Sequence, residues 1–370
     1  MKNKKILYTV ITAVNVISLA GTLILTIVGS SLAKSQRYNS ASERWDSAGD
    51  CSQISCFLAD DSGFSTDSVG GIKSNIYAEL KNISIIPEDN QKLVPEAYSA
   101  SAGQVSIKSD TTTGRSEAEI TVAGGDFFLF RDFYFIDGSY FTENDIMQDG
   151  AVIDRSLAWS LYGAENVSGK NIYINGTKFY IAGVIENPQT KPEQKTVGEL
   201  PQAYISYDGA NLLNLGDADI MGGSSGFKKI SCYECIVPNP VENYAYNAVN
   251  NYFDSAYKNK CTVVNNSERF KPSVRASAFK DISDYAVINN TVIYPYWENA
   301  SRIVEFKLTS LYFCRRLTYI IPVMTALYLL VLLYKGAGRL RRNITEWICN
   351  KIEWLIYNHN EKQRQKKENI

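Results

Sequence analysis

Two stretches without a single charge decide what this chain can fold into. Ile6 to Leu32 and Leu317 to Tyr334 contain no Asp, Glu, Lys or Arg. About 20 consecutive apolar residues suffice to cross a bilayer as a helix. The first run exceeds that length and the second lies near its lower limit. Lys2, Lys4 and Lys5 precede the first, and Lys335, Arg339, Arg341 and Arg342 follow the second. Basic flanks of this kind stay in the cytoplasm. The pattern predicts transmembrane helices over 6–32 and 317–334, with the N-terminus (1–5) and the C-terminal segment (335–370) inside. Residues 35 to 316 then lie outside the cell membrane. Arg315 and Arg316 precede the second run, where long side chains can snorkel to the headgroups. Pro322 falls in its first turns, where it kinks or starts a helix. Two other readings stand beside this one. A cleaved signal peptide could end at Ser31-Leu32-Ala33, although its apolar region would normally run only about 7–15 residues. The second run could instead be a buried core helix.

The charge distribution agrees with two spans. The formal net charge is −1, but the first 34 residues carry four lysines and no acids, and residues 335 to 370 carry nine basic and four acidic residues. The middle is therefore acidic, at −10 (−1 less 4 less 5). An acidic middle between basic ends argues against nucleic-acid binding.

The outer region mixes strands and helices. Lys34 to Trp45 is polar and extends the first helix as a stalk, within a linking segment of 33–50. Ile54 to Leu58 reads as a strand. Ser65 or Thr66 caps a helix through Leu80, with Ile72, Ile76 and Leu80 on one face. Strand-like alternation returns at Gln104 to Ile107 and Glu117 to Val122. A second strand-helix-strand set follows: Ile230 to Val237, a helix over Pro240 to Tyr257 with Pro240 in its first turn, and Cys261 to Val264. Ala245, Val249 and Phe253 share one face of that helix. Residues 186 to 227, rich in Pro, Gly, Ser and Asp, read mostly as loop.

The densest information lies between Gly138 and Pro188. Ala151 to Ile153 fits a buried strand after the Asp149-Gly150 turn signal. Asp154 caps a short helix with Leu157, Ala158 and Leu161 on one face, and Gly163 sits where a left-handed residue would end it. Asn175-Gly176 divides the alternating runs Asn171 to Ile174 and Thr177 to Val184. That dipeptide supplies the positive φ angles of a two-residue hairpin. Ile172 and Ile174 should face one way and Tyr173 the other. A strand-helix-hairpin unit of this kind occurs in many α+β domains.

The same residues resemble the extracytoplasmic core of MacB/FtsX-type ABC-transporter permeases. The pattern is a Gly-x-x-Phe-Thr opening at Gly138, a small helix ending in Tyr162-Gly163, a Gly-Lys-x-Ile strand from Gly169, and a closing Gly183-Val-Ile. The resemblance covers most of residues 1 to 334, with its specific signature confined to 138–188. It implies an α+β membrane protein in which split ferredoxin-like βαβ halves (51–125 and 228–296) hold an inserted β-rich subdomain (126–227). A stalk over 297–316 would lead to the second span. It also implies a non-enzymatic permease-type subunit, or accessory partner, of an ABC exporter. A separate ATPase would drive it, and the outer domain would transmit the motion. Permeases of this family usually have four spans, and only two are visible here. Four-span permease subunits or a second copy of this chain are then expected as further partners, beside the lipid bilayer.

No residues in the chain point to catalysis, a metal or a cofactor. The single histidine, His359, lies in the expected cytoplasmic segment, so no His base is available outside. Gly70-Gly71, Gly124-Gly125 and Gly222-Gly223 are turn signals, and none belongs to a phosphate-binding loop. Of the seven cysteines, Cys232 and Cys235 form a Cys-x-x-Cys knuckle, but a zinc site needs a second knuckle or a His pair. Cys51, Cys56, Cys232 and Cys235 are open to disulfide pairing, to metal binding, or to burial as small hydrophobes; the local pairs would be Cys51–Cys56 and Cys232–Cys235. Asp60, Asp61, Asp217 and Asp219 read as solvated loop acids, with cation binding as the other reading. Asn82, Asn289 and Asn299 open Asn-x-Ser/Thr sequons. A cell-wall hydrolase is the weakest of the functional classes on these grounds. A membrane-anchored extracellular binding or sensor module is the alternative to transport.

After the second span, Asn343 to Tyr357 places Ile344, Trp347, Ile348, Ile352, Leu355 and Ile356 at helical spacing. An amphipathic helix in the headgroup plane is one reading; a docking helix for a partner is the other. In the four-span family a cytoplasmic segment at the matching place contacts the ATPase. The apolar face at that place makes Trp347, Ile348, Ile352 and Leu355 the candidate ATPase contacts. The charged tail from Glu361 to Ile370 is expected to be disordered.

Overall fold

The computed structural model describes residues 2–46, 48–87, 92–111, 113–142, 144–213, 226–278 and 291–368. Asp217, Asp219, Gly222-Gly223 and Asn289 lie outside the described residues. The chain divides into two units, Met1–Val28 with Tyr312–Ile370, and Gly29–Leu311.

In the first unit, helix α1 (Lys2–Lys34) and the C-terminal helix α11 (Tyr296–Glu368) carry the two apolar runs. Polar groups inside these runs hydrogen-bond across the helix pair. Asn15 Nδ2 donates to Thr325 Oγ1 at 3.1 Å, Thr22 Oγ1 lies 3.0 Å from Thr318 Oγ1, and Ser18 Oγ donates to the Thr318 carbonyl. In lipid such contacts glue helices, because apolar side chains gain little by leaving apolar solvent. The helix does not stop after the second run. α11 continues through Glu368, so Asn343 to Tyr357 is a stretch of one long helix rather than a separate one. The tail expected to be disordered is helical as far as Glu368.

In the second unit, α1 ends at Lys34 instead of continuing to Trp45. A 3₁₀ turn (Arg37–Asn39) and a short helix α2 (Ala41–Trp45) follow it. Strand β1 (Cys51–Leu58) leads into α3 (Thr66–Asn82), where Ser65 and Ser68 form a capping box and Ile72, Ile76 and Leu80 are buried. The long hairpin β2 (Glu96–Ser109) and β3 (Arg115–Gly125) comes next, with a bulge at Ser101 to Gly103. Sequence alternation marks only the halves of these strands that face water. After α4 (Phe127–Phe130) come β4 (Phe135–Gly138), β5 (Gly150–Asp154) and α5 (Arg155–Tyr162). Asp154 caps α5 by accepting from Leu157 N at 2.8 Å, and Gly163 ends it at φ 65°. β6 (Asn171–Ile174) and β7 (Thr177–Ile185) form the expected two-residue hairpin, with Asn175 at φ 46° and Gly176 at φ 87°. Ile172 and Ile174 are buried and Tyr173 is half-buried.

The segment 186–227 is not mostly loop. It contains α6 (Lys191–Thr196), β8 (Gln202–Ser206) and α7 (Tyr207–Leu212). Every residue of β8 is buried, so it lacks the alternation that marks a half-exposed strand. β9 (Cys232–Pro238), α8 (Tyr244–Ala256), β10 (Cys261–Asn265), α9 (Asn266–Arg269) and α10 (Pro272–Ser277) complete the unit. α8 begins four residues beyond Pro240. The turn ahead of it puts Asn243 at φ 63°, and Asn239 Oδ1 accepts from Ala245 N at 3.0 Å.

Among the described residues the strands form one sheet in the order β10-β1-β9-β2-β3-β8-β5-β7-β4, with β6 joining β7 to β2. The pairs β2·β3, β3·β8, β8·β5, β5·β7, β7·β6 and β6·β2 close a ring. β2 and β3 thus serve both that ring and the flatter part of the sheet. One buried cluster fills the ring and the layer under α3 and α8; a second, rich in Phe, Tyr and Trp, covers the other face around Phe57, Phe127, Phe130, Tyr204 and Trp297. β1 and β9 are buried on both faces, and this explains why neither alternates.

Candidate functional site

Two segments connect the outer domain to the apolar helices: residues 35–45 behind α1, and the first turns of α11. Both end on one buried cluster of charged groups. Successive residues of a strand point to opposite faces. Ile54, Cys56 and Leu58 of β1 therefore face the α3–α8 layer, while Gln53 and Ser55 face the other way, beside Glu234 of β9. α9 follows β10 without a loop and places Asn266 and Arg269 over that second face. On α11, Glu298 and Glu305 stand seven residues apart, two turns along one side. Ser301 lies between them.

Arg269 is the centre of the cluster and is 3% exposed. Its guanidinium forks onto Glu298, with Nη1 to Oε2 at 2.7 Å and Nη2 to Oε1 at 2.9 Å, and reaches Glu305 Oε2 from Nη2 at 3.1 Å. Nη1 also donates to Asn266 Oδ1 at 3.0 Å and Asn39 Oδ1 at 3.4 Å. Arg275 approaches Glu305 Oε1 at 3.1 Å, and Arg302 Nε approaches Glu298 Oε1 at 2.9 Å. From Asn266 the chain of hydrogen bonds runs on to Ser55 Oγ (2.6 Å) and from there to Glu234 Oε1 (2.6 Å). Glu234 pairs with Arg131, whose guanidinium lies over the rings of Trp297 (4.4 Å) and Tyr38 (5.7 Å). Gln53 donates to the Tyr38 carbonyl at 2.9 Å and accepts from Ala41 N at 2.8 Å. Asn39 Nδ2 donates directly to Ser301 Oγ of α11 at 2.7 Å.

The charges balance. Arg131, Arg269 and Arg275 face Glu234, Glu298 and Glu305, and all six are buried. Burial pulls the pKa of Arg269 down, yet the carboxylates of Glu298 and Glu305 outweigh it and leave the group above the ordinary arginine value. Arg131, desolvated among aromatic rings, is lowered. Such a network holds one geometry, because removing a single partner strands a charge and costs about 3–5 kcal/mol. Its serine hydroxyls, Ser55 and Ser301, are both engaged in hydrogen bonds within the network. What it can do is fix α11 to α9, β1 and the segment behind α1.

The residues singled out from the sequence lie elsewhere. Trp347, Ile348, Ile352 and Leu355 share one side of α11 and are exposed. Cys51, Cys56, Cys232 and Cys235 are free thiols. The members of each local pair stand an odd number of residues apart on one strand, so strand geometry aims their sulfurs at opposite faces. Cys56 and Cys235 are buried in one cluster, Cys232 in the other, with Cys51 packed against it. Neither local pair is joined. Burial pushes the Cys232 thiol up to about 12, which suits an inert core residue. Asp60 and Asp61 pair with Lys229 (2.9 Å) and Lys260 (3.3 Å), and no metal-binding group occurs among the described residues. No joint residue stands out in the sequence. The available signal was Glu298, Ser301 and Glu305 interleaved with Trp297, Val304 and Leu308, polar groups placed on the buried side of a helix.

The profile of the MacB-like periplasmic core domain matches residues 16–224, more than half of the 370 residues. The chain belongs to this family. The MacB-like match stops short of β9, so Glu234, Arg269, Glu298 and Glu305 lie beyond it. Among solved structures, the periplasmic region of MacB from Actinobacillus actinomycetemcomitans aligns with 63% of this chain and 93% of its own, at 15% identity and a TM-score of 0.38. The extracellular domain of the ABC-type transporter YknZ from Gram-positive bacteria aligns with 58% of this chain and 100% of its own, at 14% identity and a TM-score of 0.37. No curated protein matches. The MacB-like core and the two apolar helices make this a membrane protein of the MacB/FtsX permease type with an extracytoplasmic domain. The MacB/FtsX permease family supplies transporter components and works with an ABC ATPase.

Proposed function

We propose that this chain is a two-span subunit of an ABC exporter that carries motion from a separate ATPase to its outer domain. The observation behind this reading is the buried joint, in which Arg269 grips Glu298 and Glu305 of the helix that continues into the second apolar run. A load on α11 would reach the sheet through α9, and a load on α1 would reach the same point through Asn39. Arg269, Glu298 and Glu305, the charged core of that path, are all buried and paired. The termini lie in the cytoplasm in this reading, with residues 35 to 316 outside. The outer domain is a split ferredoxin-like unit, for which the order β10-β1-β9-β2 and the helices α3 and α8 speak, with the strands of 126–227 inserted between its halves. Four-span permease subunits or a second copy of the chain complete the membrane bundle.

The ATPase docks on α11 through Trp347, Ile348, Ile352 and Leu355. These large apolar groups lie beyond the second run and are exposed, Trp347 at 66%. Anchors of this kind contribute about 2 kcal/mol or more each when a partner buries them, roughly 30-fold in affinity. Affinity purification of the full chain from membranes is expected to recover an ABC ATPase, and Trp347→Ala with Ile352→Ala to reduce that recovery at least tenfold. Full recovery with the double variant would remove the docking assignment. Absence of any ATPase from the wild-type sample would favour a membrane-anchored binding or sensor module.

A further inference from the structure

A cavity of about 520 Å³ opens on the aromatic face of the sheet, apart from the joint. Its floor is polar: Ser101 of β2, Glu119 and Thr121 of β3, and Gln202 of β8. Its walls are the loop after α6, with Glu199, and residues 293–297 and Asn299, at and just before the start of α11. The odd-numbered residues of β3 reach this face because Ala118, Ile120 and Val122 fill the ring on the other. The volume lies in the range of small-molecule sites, about 300–1,000 Å³.

The lining is incompletely satisfied. Thr121 is 7% exposed, and its hydroxyl has no hydrogen-bond partner among the described residues. Glu119 accepts from Ser101 Oγ at 2.6 Å, which holds its carboxylate in place without neutralising it. Neither Glu119 nor Glu199 has a basic partner among the described residues. The one lysine in the lining, Lys229, is taken by Asp60 at 2.9 Å. Tyr294, Tyr296 and Trp297 add an aromatic side. Arg131 and Arg302 already lie over the Trp297 and Tyr294 rings, so the selection falls to the two uncompensated carboxylates and the unpaired hydroxyl, which favour a cation that donates hydrogen bonds.

We propose that this cavity binds a small extracellular ligand carrying an ammonium group, held by Glu119 and Glu199 and by the Thr121 hydroxyl. The occupant would rest against the first turn of α11. Thr196 Oγ1 already ties the opposite wall to the Tyr296 carbonyl at 2.9 Å, and Glu298 in the same turn belongs to the joint. Ligand and joint therefore act on one helical turn from two sides.

The test uses the full chain in lipid nanodiscs with no ATPase, so its failure leaves the coupling proposal standing. The probes are the tripeptide Lys-Tyr-Lys amide and its fully acetylated, uncharged form, titrated by calorimetry. The cationic peptide is expected to bind, and acetylation to weaken it about tenfold or more, the effect of losing roughly 1.4 kcal/mol. Glu119→Gln with Glu199→Gln should weaken it as much without altering thermal stability, since Glu119 is half-buried and Glu199 is exposed. Thr121→Val should weaken both peptides. Equal binding of the two peptides, an unchanged affinity in the double variant, or no heat at millimolar peptide would each overturn the proposal.

Discussion

Arg269 shows how much a single residue can hold. It pairs with two buried carboxylates at once, whereas Arg302, on the rim, shares Glu298 from a half-exposed position. The expected costs differ accordingly. Arg269→Ala should destabilise the outer domain by about 3–5 kcal/mol, and Arg302→Ala by no more than about 1 kcal/mol. Urea unfolding of the full chain followed by tryptophan fluorescence measures both; similar costs for the two would mean that the joint carries no special load. At this scale the legible features were those whose partners are neighbours in sequence. Asp154 caps within three residues, Gly163 ends the same helix, and Asn175-Gly176 turns a hairpin, each through local backbone chemistry. Arg269 meets Glu298 across 29 residues, and Asn266 meets Ser55 across 211. Neither residue type nor spacing announces such a pair. The cysteines misled for a related reason. Cys-x-x-Cys suggests a chelate only where the backbone curls, and on β9 it is straight.

Among the elements, helices with one buried stripe were readable and fully buried strands were not. α3 declares itself through Ile72, Ile76 and Leu80, and a capping serine. β8 is buried along its whole length in a segment otherwise full of turn-forming residues, so composition hid it. The apolar runs were readable as long helices, but their pairing was not. That pairing rests on Asn15, Ser18 and Thr22 meeting Thr318 and Thr325, residues that a hydropathy window counts only as small blemishes. The Thr22 and Thr318 hydroxyls are 3.0 Å apart. Thr22→Cys with Thr318→Cys, in a background with Cys314 replaced by Ser, should therefore cross-link in membranes on mild oxidation. Neither single variant should cross-link under the same conditions. A double variant that fails to cross-link would mean that the two helices pair by other faces.

For the whole molecule, the decisive question is which side of the membrane the sheet occupies. The proposed topology, from the basic flanks of the apolar runs, puts it outside. A cysteine introduced at the exposed Asn175 turn should react with an impermeant maleimide in intact cells; reaction only after lysis would reverse the topology. The sequence also divides at this scale. The βαβ segments at either end of the outer region were visible as such. The closing of β2, β3 and β5 to β8 into a ring was not, because a ring is a property of pairings between distant strands.

The strand order sets a schedule for biogenesis. β9 lies between β1 and β2, hydrogen-bonded to both, yet it is made after every strand of the ring. While a ribosome still holds residues 232–238, β1 has no partner on either side, since β10 is later still. The N-terminal part of the outer region thus cannot complete its half of the sheet until most of that region has been synthesised. A chain that must cross a translocation channel unfolded gains from this delay. A premature stop before β9 would leave β1 and β2 with open edges outside the cell, where such edges invite aggregation and quality-control proteolysis.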